Sequence, residues 1–184
     1  MDYILKTLLD AHSERLEIWR KRTNLVGPGP IDFHYQDCQQ AIGWLQPEGA
    51  WADMGTGAGF PGIVFAHLFP HTTVDLIDSR KKRCAFLREV VKNSDHLAHN
   101  VHILCSRLEH ISPHQYDGVL SRALAPTDKT LEHATRLLKP MGYAVLMLQA
   151  DQAIEGSSGF KEIHTEYYEI KGKKRRAVQL QWCS

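Results

Sequence analysis

The stretch Trp51-Ala-Asp-Met-Gly-Thr-Gly-Ala-Gly-Phe-Pro-Gly62 reads as a short buried strand, a glycine-rich turn and the opening of a helix. Gly55, Gly57 and Gly59 have no Cβ, so the backbone can turn sharply and lie against a ligand. Pro61 suits a first helical turn, where its missing N–H costs nothing. Free amides at that helix start are expected to face electron-rich groups of the ligand. With Asp78 at the end of a second predicted strand, this is the layout of an adenosine-cofactor site in an α/β fold, and so of an enzyme. The plainer alternative is a turn that only joins strand to helix, with Asp78 a helix cap.

Two cofactors compete for that layout. Gly57 to Gly62 satisfies G-x-G-x-x-G with an acidic residue roughly 20 positions on, as in dinucleotide-binding folds. The wider pattern D-x-G-x-G-x-G, from Asp53 to Gly59 and including Thr56, points instead to S-adenosylmethionine. Asp53 would then end the first strand, where its carboxylate either faces the amino-acid end of the cofactor or orders the loop.

Working outward, Ile4, Leu5, Leu8, Leu9, Leu16 and Trp19 make one helical stripe over residues 2–22. Gly27-Pro-Gly-Pro30 breaks it, and a second helix is predicted from about Asp32 to Leu45. Beyond the loop come a helix over Gly62–Leu68 and a strand over Thr72–Ile77. A helix capped by Asp78 or Ser79 follows, then strands at Val101–Cys105 and Tyr116–Ser121. A helix over Thr130–Leu138 is expected to stop at Lys139-Pro-Met-Gly142, before a fifth strand over Tyr143–Leu148. Strands alternating with helices imply a parallel sheet covered on both faces. The tail from Glu166 to Trp182 reads as two strands around a basic turn at Gly172. Residues 1–46 are taken as an N-terminal helical extension and 47–184 as the catalytic domain.

Composition is that of an ordinary soluble globular domain: 184 residues, 43% hydrophobic and 23% charged. No apolar run approaches the roughly 20 residues of a membrane span. Met1-Asp-Tyr-Ile-Leu-Lys6 lacks the features of a signal peptide, which makes a cytoplasmic location the default expectation. Cys38, Cys84, Cys105 and Cys183 are scattered and read as reduced, mostly buried thiols. The eleven histidines show no convincing metal-binding spacing, so a metal-free protein is expected. A net charge of +1 argues against indiscriminate coating of nucleic acid. Local runs at Arg20-Lys21-Arg22, Arg80–Arg83 and Lys171–Arg176 (with Lys173, Lys174, Arg175 and Arg176) instead suit docking on one phosphate-rich surface. Each run taken alone is better read as a solvated face.

The crevice at the strand carboxyl ends gathers the candidate site. Asp78 can accept both ribose hydroxyls, and Leu108 and Glu109 are placed to flank the adenine. Arg122, after the fourth strand, lies at the rim where substrate meets cofactor, or else forms a surface ion pair. Phe60 either stacks on a base or belongs to the core.

Four segments together resemble one family: Asp53–Gly62, Leu76–Arg83, Ser106-Arg-Leu-Glu109 and Asp117–Ala125. The chain is similar to the small-subunit (16S) ribosomal RNA guanine-N7 methyltransferases, also called glucose-inhibited division protein B. Trp19–Leu25 and His34-Tyr-Gln-Asp37 resemble that family's W-N-K-x-x-N-L and H-x-x-D elements, so the likeness runs from about residue 16 to 149. It implies a class I methyltransferase fold, Rossmann-like, mostly parallel, with a C-terminal antiparallel hairpin. It also implies S-adenosylmethionine as donor and a guanine of ribosomal RNA or of the ribosomal particle as acceptor; separately, a monomer is expected. Cofactor contacts carry over to Gly55, Phe60, Leu108, Glu109 and Arg122. The chain departs from the family at Gln149-Ala150, where a lysine-glycine pair is usual, and at Asn24-Leu-Val26, where Asn-Leu-Thr is usual. Its N-terminal region and C-terminal hairpin are also shorter, which leaves the acceptor less fixed than the fold.

Overall fold

The structure, a computed structural model, describes residues 3–21, 23, 25–27 and 30–183, with the side chains of 3–9 not described. The side chains of Ile4, Leu5, Leu8 and Leu9 of the first stripe are thus not described, and Arg22 of the first basic run falls outside the described residues. The helix itself, α1 (Tyr3–Arg20), is present. It docks through Leu16, which is fully buried, and through Trp19. Glu89 of α4 (Lys81–Lys92) takes both a hydrogen bond from Trp19 Nε1 (2.9 Å) and an ion pair from Arg15 (2.9 Å).

The second helix, α2 (Ile31–Ile42), stops three residues short of the expected Leu45 because Gly43 caps it. Strand β1 (Ala50–Met54) leads into the glycine loop, then α3 (Gly62–Leu68) and β2 (Thr73–Ile77). After α4 come β3 (Val101–Leu104), a short 3-10 turn (Leu108–His110) and β4 (Tyr116–Arg122). Helix α5 (Thr127–Leu137) starts three residues earlier than expected, directly after Pro126. Lys139-Pro-Met-Gly142 does not form a separate turn. The chain passes straight from α5 into a long β5 (Leu138–Gln149), whose pairing with β4 skips register between Tyr116/Leu138 and Gly118/Tyr143. Met141 absorbs the irregularity with φ of 64°. The tail is a hairpin of β6 (Phe160–Ile170) and β7 (Lys173–Trp182), turned by Lys171 and Gly172 at φ 49° and 74°.

All strands join one seven-stranded sheet in the order β3-β2-β1-β4-β5-β7-β6. Strands β1 to β5 pair in parallel, β7 adds antiparallel to β5, and β6 pairs antiparallel with β7 and so runs with the rest of the sheet. Strand alternation divides the core into two layers. Trp51, Val145 and Met147 face a layer filled from α1 to α4, whereas Ala52, Met54, Ala144 and Leu146 face one closed by α5 and the 3-10 turn. Leu16, Tyr35 and Ile42 of the first two helices belong to the same buried cluster as the sheet. Sheet order reverses direction between β1 and β4, which opens a crevice above their carboxyl ends.

Candidate cofactor and acceptor crevice

The glycine loop is held by its own residues more tightly than its sequence suggests. Asp53 ends its strand pointing at α3, and its Oδ2 accepts the Gly62 N–H at 2.8 Å. The Ile63 N–H goes to Gly59 O at 2.7 Å and the Phe65 N–H to Pro61 O at 2.9 Å. Of the amides expected to be free for a ligand at this helix start, those of Gly62 and Ile63 are therefore taken. A Cβ on Gly62 would meet Asp53 Oδ2 at 2.7 Å and strike Leu76, so this close approach requires glycine. Asp53 Oδ1 and Thr56 Oγ1 are buried without a hydrogen-bond partner. Burial pushes the Asp53 carboxyl up to about 6.

Asp78 leaves β2 5% exposed and faces the loop across the crevice. Its Oδ2 accepts the Gly57 N–H (3.1 Å) and an Arg83 N–H (3.0 Å), and its Oδ1 accepts the Arg80 N–H (2.8 Å). The cap position of α4 is Arg80, with no side-chain cap bond, so neither Asp78 nor Ser79 is the cap residue. Asp78 instead ties the loop to the start of α4. Arg83 lies over Gly57, where an added Cβ would come 3.8 Å from its Nη1.

Past Asp78 an open cleft of about 330 Å³ is lined by Ser79, Ser106, Leu108, Glu109, Leu124 and His133. Leu108 and Glu109, which sequence placed beside a base, thus lie on the wall adjoining Asp78. Leu124 is shared with a second, smaller cavity of about 190 Å³ past the ends of β4 and β5. Arg122, Gln149 and Arg175 line that cavity, and the side chain of Leu124 is packed so close to Gly55 that a Cβ there would strike it.

Arg122 is neither free nor on the surface. Its guanidinium pairs with Asp37, a carboxylate 1% exposed on α2, at 3.5 Å. Arg175 reaches the same carboxylate at 3.4 Å, and Tyr168 donates to it at 3.0 Å. One buried anion from the H-x-x-D element therefore orients two arginines from β4 and β7. His34, one turn earlier, presents Nδ1 to Arg122 Nη1 at 3.4 Å. Burial and the Arg122 charge hold His34 down to about 4, so its imidazole is neutral at pH 7. Burial likewise raises the Cys38 thiol, 3.8 Å from Arg122, to about 12.

The Phe60 ring is 3% exposed and packed among His12, His34 and Tyr35, with Arg122 over its face at 5.1 Å. Of the two roles held open for it, the ring takes the core one and cannot stack on a base. Sequence reasoning missed His12. Its Nε2 donates to Ala58 O (2.7 Å), since a carbonyl can only accept, and its Nδ1 then accepts from Tyr35 O–H (2.9 Å). Nothing in the spacing of His12 signals this bond across the fold.

The basic runs separate. Arg20 pairs with Glu17 at 2.9 Å, and Lys21 is exposed. In β7, alternation sends Arg175 toward α2 and Arg176 to the other face, where it donates to Gln152 O (2.6 Å). The run at 173–176 is thus not one patch. Cys38 and Cys84 are buried but Cys105 and Cys183 are exposed, so only half of the thiols are inside. A larger cavity of about 630 Å³, bordered by Trp44, Trp51 and Asp117, lies at the opposite end of the sheet and holds none of these site residues.

A glycine loop at the reversal of strand order, a carboxylate after β2 and an antiparallel β7 set between β5 and β6 together define the class I methyltransferase fold. Solved structures agree: magnesium protoporphyrin IX methyltransferase from Synechocystis PCC 6803 with bound SAM superposes with a TM-score of 0.65 at 16% identity, covering 100% of this chain and 98% of that one. TYW2 of M. jannaschii in complex with AdoMet gives 0.63 at 18% identity over 88% and 78%. The chain belongs to the GidB family, rRNA small subunit methyltransferase G, whose model matches residues 6–180. Among curated relatives, ribosomal RNA small subunit methyltransferase G of Gluconobacter oxydans is 36% identical over 76% of this chain and 72% of its own length. The Hydrogenovibrio crunogenus protein of the same name is 38% identical over 70% and 60%. The chain spans less than two thirds of the latter relative, and of those from Hyphomonas neptunium (64%) and Jannaschia sp. (65%).

Proposed function

We propose that this chain transfers a methyl group from S-adenosylmethionine to N7 of a guanine in small-subunit ribosomal RNA. The observation that carries the reading is the family match over residues 6–180, laid on a crevice where loop, carboxylate and arginine converge. Two buried polar atoms, Asp53 Oδ1 and Thr56 Oγ1, fit a polar, cationic ligand end at the base of the loop. Asp53 would hold the amino-acid end, and Gly55, Thr56, Gly57, Gly59 and the backbone at Phe60 would follow the cofactor. Asp78 would take the ribose hydroxyls, and Leu108 and Glu109 would flank the adenine. The bound sulfonium supplies an already activated methyl group.

Guanine N7 carries a lone pair and no proton, so no base is required, and the chain's task is alignment. Product guanine gains positive charge, which a cation beside N7 would oppose. Here the Arg122 charge is met by Asp37, and His34 is neutral at pH 7. Both suit a site that does not repel the product, with Arg122 left to orient phosphate or the cofactor carboxylate through its remaining N–H groups. The reading extends to a cytoplasmic monomer acting on ribosomal RNA or its particle, with 1–46 as extension and 47–184 as catalytic domain. Among the described residues no helix is long and apolar enough to cross a membrane, and no cluster suits a metal ion.

Calorimetry tests the cofactor half: S-adenosylmethionine binds, NAD does not, and Asp78→Ala weakens binding at least tenfold. Firm NAD binding without S-adenosylmethionine binding would overturn the reading. For the acceptor half, label is expected to enter small-subunit but not large-subunit RNA, and equal labelling would contradict it.

A further inference from the structure

The tail carries five cations in six residues, Lys171, Lys173, Lys174, Arg175 and Arg176, and the hairpin sorts them. With the turn at Lys171-Gly172 and a strand period of two, Lys173 and Arg175 share a face, and Lys174 and Arg176 take the other. The first face looks onto α2. There the Phe33 ring, in the first turn of the helix, has Lys171 Nζ and Lys173 Nζ each 5.9 Å from its centroid and Arg175 Cζ at 5.7 Å. On the other face Lys174 stands opposite Glu169, and Arg176 is bonded to Gln152 O.

We infer that Lys171, Lys173 and Arg175, gathered around Phe33, form the docking site for backbone phosphates of the acceptor RNA at the mouth of the crevice; this rests on the methyl-transfer reading above. Like charges drawn to one ring repel one another, and the aromatic face offsets only part of that. Arg175 has Asp37 as counter-ion, but Lys171 and Lys173 have no ion-pair partner among the described residues. The patch is therefore short of negative charge, as a site for phosphate must be. Its position fits the acceptor's needs. Arg175 shares Asp37 with Arg122 and lines the cavity past β4 and β5, and Lys173 borders an adjoining opening together with Gln149, Lys174 and Arg175. A loop base that is splayed into a pocket leaves its flanking phosphates at the rim. Lysines serve there as mobile point charges that follow the backbone without reading sequence.

The test is RNA binding as a function of salt, using small-subunit RNA and the particle, with cofactor affinity measured alongside by calorimetry. Lys171→Ala with Lys173→Ala is expected to lower the slope of log affinity against log salt by about 1.4, two phosphates at ~0.7 each for single strands. Cofactor affinity should not move, and Lys171→Arg with Lys173→Arg should restore the slope. Lys174→Ala with Arg176→Ala, which removes the same charge from the other face, should change the slope by less than half as much. Equal losses from both pairs would overturn the site, because total charge and not placement would then govern binding. An unchanged slope in the first pair, with the wild-type chain still methylating, would overturn the site and leave the reading standing. A wild-type chain that neither binds nor methylates the RNA would overturn both.

Discussion

Asp53 is enclosed, ionisable and half satisfied, with Oδ2 on the Gly62 amide and Oδ1 without a partner. Its carboxyl is raised to about 6, so it is neutral at pH 5 and ionised above pH 7. A cationic ligand end favours the ionised form. S-adenosylmethionine affinity should therefore rise between pH 5 and 7 and level off above, and Asp53→Asn should flatten that profile. Calorimetry across the range checks both, and a flat wild-type profile would remove Asp53 from the cofactor site. Asp37 is the other decisive carboxylate. Removing a buried partner strands the charges that it balanced, so Asp37→Ala should cost about 3–5 kcal/mol in urea unfolding with an unchanged m-value. Asp53 and Asp78 were legible in the sequence because loop spacing fixes them. The joining of Asp37 to Arg122 and Arg175 was not, since it depends on α2, β4 and β7 meeting in space.

Among the elements, α1 and α2 act as struts for the cofactor loop. Tyr35 donates to His12, and His12 donates to Ala58 O, so a contact between two helices ends on the loop backbone. Burial holds His12 at about 4, which keeps the imidazole neutral and this tautomer in place at pH 7. His12→Leu takes a partner from the buried Tyr35 hydroxyl and leaves the buried Ala58 carbonyl without its side-chain donor. It should cost about 1–3 kcal/mol of stability and weaken cofactor binding, read by thermal shift with and without ligand. At the start of α3, Gly62→Ala should reverse the usual trend. Alanine favours a helix interior by about 1 kcal/mol, yet a Cβ here would press on Asp53 and Leu76, so the variant should melt lower. The elements themselves were readable from periodicity, and their ends less so. Pro140 and Gly142 suggest a turn, and residues 139–142 do stand out of the β4 pairing, which skips from Leu138 to Tyr143. The excursion is a bulge within β5 because pairing resumes at Tyr143 and Lys139 is tied to Asp117 at 2.8 Å.

For the molecule as a whole, a near-neutral chain gathers Lys171, Lys173 and Arg175 around one ring beside the crevice. The parallel sheet was predictable from the alternation of strands and helices. How the basic runs distribute was not, because a contiguous run on a strand divides between two faces. The family match fixes the class of chemistry, and Gln149, which lines the cavity past β4 and β5 where the resembled family usually has lysine, makes the reaction itself the point to measure. The most direct measurement is methyl transfer from labelled S-adenosylmethionine to small-subunit ribosomal RNA, offered as particle and as free RNA, with nucleoside analysis of the product. The account predicts label in 7-methylguanosine. Label in any other nucleoside, or no transfer by a chain that binds cofactor, would contradict it.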